Sequence, residues 1–241
     1  MATFLINYAD GRFYESQQLN IKTGLEVAGF DRAIPLNRRS LDPVFCAENR
    51  DILSQPRGAG YWLWKPYLIW RVMREQLSEG DVLFYSDSGC HFVAPIAPVV
   101  DILHAQPREK PVLLFTLPPS DTNAAWTKRD CFHFMGLDMP PYPGLPPIMG
   151  SFVLCRKSPF SLAFVQEWLR YAQDRRCLTD EPNVCGLPNY PEFRDHRHDQ
   201  SILSLLARKH QVATTADISQ WGDDYRSPEI PRIIAHTRWP G

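Results

Sequence analysis

The feature that most constrains this chain is an alternation of short apolar runs with amphipathic stretches. Strand-length runs fall at residues 3–8, 30–34, 82–86, 112–116, 151–155, 212–215 and 232–236. Between them, residues 67–77 carry Leu68, Ile69, Val72, Met73 and Leu77 on one helical face, with Pro66 at the favoured first position. Ser158 and Pro159 open a second helix, whose stripe Phe160, Phe164, Trp168 and Ala172 recurs at i, i+4 spacing. A third helix, expected over 199–209, buries Ile202, Leu203, Leu205 and Leu206. Strands alternating with helices predict an α/β domain with a mostly parallel central sheet and helices on both faces. In such sheets, ligands bind beyond the carboxyl ends of the strands, where the topology switches.

The 241 residues suit a single domain over 1–241. Lys plus Arg is 26 and Asp plus Glu is 27, so the net charge is -1. That balance provides no broad field for nucleic acid, and phosphate must be held by local geometry. No run approaches the roughly 20 apolar residues of a membrane span, and the N-terminus lacks the pattern of a signal peptide. Six scattered cysteines form no C-x-x-C pair. A Cys177–Cys185 bridge would suit an oxidising compartment, but reduced thiols in a cytoplasm are the preferred expectation. Two stretches, 138–147 with five prolines and 179–194, read as long ordered loops that either shape a site or merely connect elements.

The most informative segment is GDVLFYSDSGC, residues 80–90. An apolar strand there ends on Ser86, Asp87, Ser88 and Gly89. Asp87 either makes an Asx-turn before Gly89 or faces the ligand crevice, where a carboxylate holds a hard divalent cation opposite a pyrophosphate. Upstream, GAGYWLWKPY puts Lys65 where a helix begins, poor helix design unless an anion sits opposite. Trp62 and Trp64 are either core or stacking surfaces. The segment RDHRHDQS, residues 194–201, crowds hydrogen-bonding groups suited to sugar hydroxyls. Within it Asp199 is either a helix N-cap or a base. His196 and His198, two apart, diverge on a strand and are not read as a zinc pair. His236 ends the last strand, where an imidazole can complete a metal's coordination.

Taken in order, a first strand running into Asn-Tyr-Ala-Asp, a helix leading to a strand-end aspartate, an Asp-Gln pair and a terminal His-x-x-Trp-Pro resemble glycosyltransferases of the GT-A type. The likeness is greatest to bacterial sugar transferases distantly similar to the glycogenin-like group. It implies a Rossmann-like GT-A domain and hexosyltransferase-like transfer from a nucleoside diphosphate sugar to a hydroxyl of a surface polysaccharide, lipid-linked glycan or other glycan. By the same resemblance, Asn7, Tyr8 and Asp10 lie at the base and ribose, and Lys65 approaches the diphosphate. Tyr85, Ser86, Asp87, Ser88 and Gly89 are the counterpart of the Asp-x-Asp segment. Gly150 and Ser151 begin the strand that floors the donor sugar, and Asp199 and Gln200 stand near the transferred sugar. Asp87 and His236 are the implied ligands of Mn²⁺ or Mg²⁺, although Gly89 occupies the place of the second carboxylate. The implied address is cytoplasmic, or peripheral to the inner face of the membrane. A different class, a catalytically reduced protein that binds a nucleotide sugar or glycan without transferring it, is the alternative that Gly89 motivates.

Overall fold

The computed structural model describes residues 1–219 and 230–237. Its strands are β1 (Thr3–Tyr8), β2 (Arg32–Leu36), β3 (Val82–Ser86), β4 (Cys90–Phe92), β5 (Val112–Thr116), β6 (Ile148–Arg156), β7 (Ala213–Ala216) and β8 (Ile234–His236). Six form one sheet in the order β2-β1-β3-β6-β5-β7. β1 runs parallel to β2 and β3, and β5 to β7, whereas β6 is antiparallel to both of its neighbours. The sheet is therefore mostly parallel with one reversed strand. That reversal brings the N-terminal end of β6 beside the carboxyl end of β3, where Ser86 pairs with Phe152.

The longer helices are α1 (Tyr14–Thr23), α2 (Trp64–Gln76), α3 (Ala97–Ala105), α4 (Pro159–Ala172) and α5 (Asp199–His210). Side chains on a strand alternate between faces, and the sheet's two faces divide its core accordingly. Phe4, Ile6, Tyr8, Leu83, Tyr85 and Val153 pack with residues of α2, α4 and α5. Leu5, Val82, Phe84, Phe152 and Leu154 pack on the other face with residues of α3, β4 and β8. α4 starts where expected because Ser158 caps it. Ser161 N–H donates to Ser158 Oγ at 3.1 Å, and Ser158 N–H to Ser161 Oγ at 2.9 Å. Trp168, fully buried on α4, donates its indole N–H to the Asp199 carbonyl at 3.0 Å and so anchors the start of α5.

α1 is built differently. Its buried residues are Ser16, Gln17 and Asn20, and they form a polar knot beneath the strand ends. Asn7 Nδ2 donates to Asn20 Oδ1 at 2.7 Å, Gln17 Nε2 to Asn7 Oδ1 at 3.0 Å, and Asn20 Nδ2 to Ser86 Oγ at 3.1 Å and the Cys90 carbonyl at 2.9 Å. Each buried amide thereby gains the partner that desolvation demands, and the 86–90 turn is fixed to β1.

Several expectations shift. α2 begins at Trp64, so Pro66 is its third residue. The last strand is shorter than 232–236 and leaves the main sheet, pairing antiparallel with β4, a strand too short to show in the sequence. The stretch 138–147 contains a 3₁₀ turn at Tyr142–Gly144, and 179–194 carries no helix or strand. All six cysteines are free thiols. Among the described residues, no helix is long and apolar enough to cross a membrane.

Candidate functional site

A cleft of about 560 Å³ opens at the carboxyl ends of β1 and β3, where the crevice rule for open α/β sheets places ligands. Tyr8 and Asp10 come to it from the end of β1, and Tyr85, Asp87, Ser88 and Gly89 from β3 and its turn. Ser151 arrives from β6 and His236 from β8. The reversed β6 is what allows Ser151 to be there: Asp87 N–H donates to the Ser151 carbonyl at 2.9 Å.

Asp87 is held at the floor. The Tyr85 hydroxyl donates to its Oδ1 at 2.6 Å, and Lys65 Nζ lies 3.4 Å from the same oxygen. About a third of the side chain (34%) remains exposed, so the carboxylate is oriented from behind and open in front. Burial, then the neighbouring Asp87, pushes the Tyr85 phenol well above its ordinary pKa, which keeps it a donor. The aromatic wall comes from Tyr8, stacked on Trp64 with centroids 3.9 Å apart and planes 18° apart, and from Trp62. The Tyr8 hydroxyl is buried without a hydrogen-bond partner among the described residues. Burial and Asp10 push its pKa up to about 12. An unpaired buried hydroxyl is costly, and this one belongs to a residue lining the cleft, within reach of water or a ligand there.

Several expected residues lie elsewhere. Asn7 and Ser86 are fully buried in the polar knot and do not face the cleft. Lys65 is only 3% exposed: Nζ lies 3.0 Å from Asp199 Oδ2 and donates to the Gly150 carbonyl at 2.9 Å. An ammonium so enclosed is not at the cleft surface to meet a diphosphate. Burial alone would lower its pKa, but Asp199 and Asp87 outweigh that and raise it, so Lys65 stays charged. Asp199 is not an N-cap, since His198 holds that position with φ of 55° and Asp199 is the first helical residue. Burial raises the Asp199 carboxyl to about 6 against the pull of Lys65. Gln200 accepts from Gly150 N–H at 3.1 Å, so both residues serve to lock α5 onto β6 behind the cleft.

The implied metal ligands, Asp87 and His236, both line the cleft. His236 Nδ1 lies 3.4 Å from Cys90 Sγ, and Nε2 lies 3.0 Å from Ser219 Oγ, which occupies both ring nitrogens within the protein. Among the described residues, no group of three or more His, Cys, Asp or Glu side chains is arranged to hold a metal ion. A cation held by Asp87 and His236 would need oxygens from a bound ligand, and the imidazole would have to exchange one of its present contacts. Trp239 and Pro240 of the terminal motif lie outside the described residues.

Two parts of the site escape sequence reading. Gly11, Arg12 and Phe13 form a short 3₁₀ turn after β1 and line the cleft. Arg12 has no carboxylate within ion-pair distance among the described residues and sits over the Phe13 ring at 5.2 Å. Opposite, residues 58–62 all have positive φ, from 50° at Ala59 to 99° at Gly60. They close a left-handed turn through Tyr61 N–H to the Arg57 carbonyl at 2.7 Å and Trp62 N–H to the Gly58 carbonyl at 3.1 Å. Left-handed runs are costly for L-residues, and Ala59, Tyr61 and Trp62 accept that conformation here. Gly58 and Gly60 in the sequence were the available signal.

No protein-family profile matches the chain, and no curated protein sequence matches it. Among solved structures, the apo crystal structure of mouse Xyloside xylosyltransferase 1 superposes on it with a TM-score of 0.49 and 11% identity. The superposition covers 91% of this chain and 86% of that one.

Proposed function

We propose that the cleft binds a nucleoside diphosphate sugar and that the protein is a glycosyltransferase. The observation that carries this reading is the combination at one crevice of Asp87, fixed from behind by Tyr85 and Lys65, with the unpartnered Tyr8 hydroxyl on an aromatic wall. A base and ribose suit Tyr8 and Asp10, and the diphosphate suits Arg12, a cleft guanidinium without a carboxylate partner among the described residues. The transferred sugar, read as a hexose, then lies over Asp87 and Ser151. In transfer, the acceptor hydroxyl oxygen bonds to the anomeric carbon as the bond to the diphosphate oxygen breaks, and the hydroxyl proton leaves to a base or water. Charge develops on the departing diphosphate, and preorganised donors aimed there lower the barrier. Asp199 and Gln200 act as positioning residues, through Lys65 and Gly150. The acceptor is read as a glycan or lipid-linked hydroxyl, and Mn²⁺ or Mg²⁺ is kept as a variable of the test because both His236 nitrogens already have protein contacts.

The test is a thermal-shift screen of the full chain against UDP-, GDP-, CMP- and dTDP-sugars, with and without Mn²⁺, followed by assay of the released nucleotide (a nucleoside diphosphate, or CMP from a CMP-sugar). A ligand at about 100 times its dissociation constant adds roughly 2.7 kcal/mol of stability. One nucleotide class should give a clear shift, and Asp87→Ala should abolish turnover with the fold intact. Near-wild-type hydrolysis and transfer by Asp87→Ala would sink the assignment. A shift without any released nucleotide favours the second reading, a nucleotide-sugar or glycan-binding protein, which the glycine at position 89 motivates.

A further inference from the structure

A second cavity, of about 380 Å³, lies between the 180–195 loop and Lys128, within the size range of small-molecule pockets. Its polar groups are unusually well sorted. Arg57 lies between two carboxylates, donating Nη1 to Asp180 at 2.9 Å and Nη2 to Asp195 at 3.2 Å. Both carboxylates keep further lone pairs. Lys128 is only 4% exposed and donates Nζ to the Glu181 carbonyl at 3.1 Å. No carboxylate lies within ion-pair distance of it among the described residues. Burial lowers its pKa, as expected for an ammonium whose other two N–H groups have no compensating partner among the described residues. Asn189 Oδ1 is taken by Arg129 N–H at 2.7 Å and Asn183 Nδ2 at 2.8 Å, which leaves its NH₂ as the end without a partner among the described residues. Phe193 adds a half-buried ring.

We infer that this cavity is a saccharide subsite, holding the acceptor glycan of the reaction proposed above. A phosphate or carboxylate ligand would meet the carboxylates of Asp180 and Asp195. A sugar hydroxyl both donates and accepts, so it satisfies those oxygens and the Lys128 and Asn189 N–H groups together, with a sugar C–H face against Phe193. The location supports an acceptor role. Trp62, on the first cleft, stacks on His198 at 5.3 Å, and His198 Nε2 lies 3.7 Å from Asp180 Oδ1. Arg57 of this cavity is also followed directly by Gly58 of the cleft. The two sites share a wall.

The inference rests on the glycosyltransferase reading for its word acceptor, but saccharide binding is testable alone. The probes are methyl α- and β-glycosides of glucose, galactose, xylose and N-acetylglucosamine, added to the full chain and followed by saturation-transfer difference NMR and titration. At least one glycoside should bind, and Phe193→Ala, Asn189→Ala and Lys128→Met should each weaken it at least tenfold. Thermal melts identify any variant that has lost its fold, and the two loop variants carry the test if Lys128→Met does not fold. No binding by any glycoside, or binding indifferent to the folded variants, overturns the proposal. Nucleotide-sugar shifts measured in the same variants separate the two readings. Lost glycoside binding with donor binding intact supports the subsite, and glycoside binding without any donor binding keeps the subsite but removes the transferase.

Discussion

Lys65 Nζ lies 3.0 Å from Asp199 Oδ2, and the two side chains are 3% and 4% exposed. This buried pair joins α2 to α5 behind the cleft, with Asp87 as the third member at the surface. Breaking a buried pair from one side strands a charge, at a cost of about 3–5 kcal/mol. Lys65→Met leaves Asp199 without its cation, and urea unfolding should show a loss of that order. A loss below about 1 kcal/mol would mean that the ammonium is not structural.

The same pair sets a pH dependence. Burial raises the native Asp199 carboxyl to about 6 from an ordinary 3.8. Below pH 4 both native and unfolded states hold the proton, whereas between 4 and 6 the unfolded chain releases it first. The stability this group contributes is therefore full below about pH 4 and is lost as pH rises through 6, by roughly 3 kcal/mol. Asp199→Asn does not titrate. Its unfolding free energy should gain on the wild type across that window, and parallel curves from pH 4 to 7 would contradict the assignment.

Tyr85→Phe removes the 2.6 Å hydrogen bond to Asp87 and preserves the buried ring. A hydrogen bond to a charged group contributes about 1.5–3 kcal/mol, part of it spent on orienting Asp87 rather than on the fold. The expected result is at least tenfold weaker donor binding by titration, with the thermal midpoint little changed. Unaltered affinity would place the donor away from Asp87.

Gly58 and Gly60 separate backbone strain from steric conflict. An added Cβ at Gly58 meets the Trp62 ring at 2.4 Å, and one at Gly60 meets Leu53 Cα at 2.7 Å, while Gly80 has open space. All three have positive φ. Gly80→Ala should cost only the left-handed penalty of about 1–2 kcal/mol. Gly60→Ala should cost more, because backbone must move, and Gly58→Ala should also alter tryptophan fluorescence. Equal urea midpoints for the three would contradict the packing described.

What the sequence revealed follows from which forces act locally. β1, β3 and β5 match their expected spans to the residue, because each is a mainly apolar run closed by a turn signal. α1 was invisible because the face it buries is Ser16, Gln17 and Asn20, so no hydrophobic period marks it. Asp87 and Tyr85 were legible as a strand end. The burial of Lys65 was not, since it depends on Asp199, a residue distant in sequence that only α5 brings near. The same holds for His236, whose environment is set by its pairing opposite Cys90.

The turn at residues 58–62 has a stereochemical consequence. Its backbone is, over one helical turn, the mirror image of an ordinary α-helix, so this wall of the cleft is written in the handedness natural to D-amino acids. At the half-buried Ala59, with φ of 50° and ψ of 46°, a D-alanine introduced by chemical ligation would sit in its own preferred basin. The left-handed penalty, about 1–2 kcal/mol per residue, would be relieved there. One site in this chain is thus better suited to the enantiomer of the residue that ribosomal synthesis can place in it.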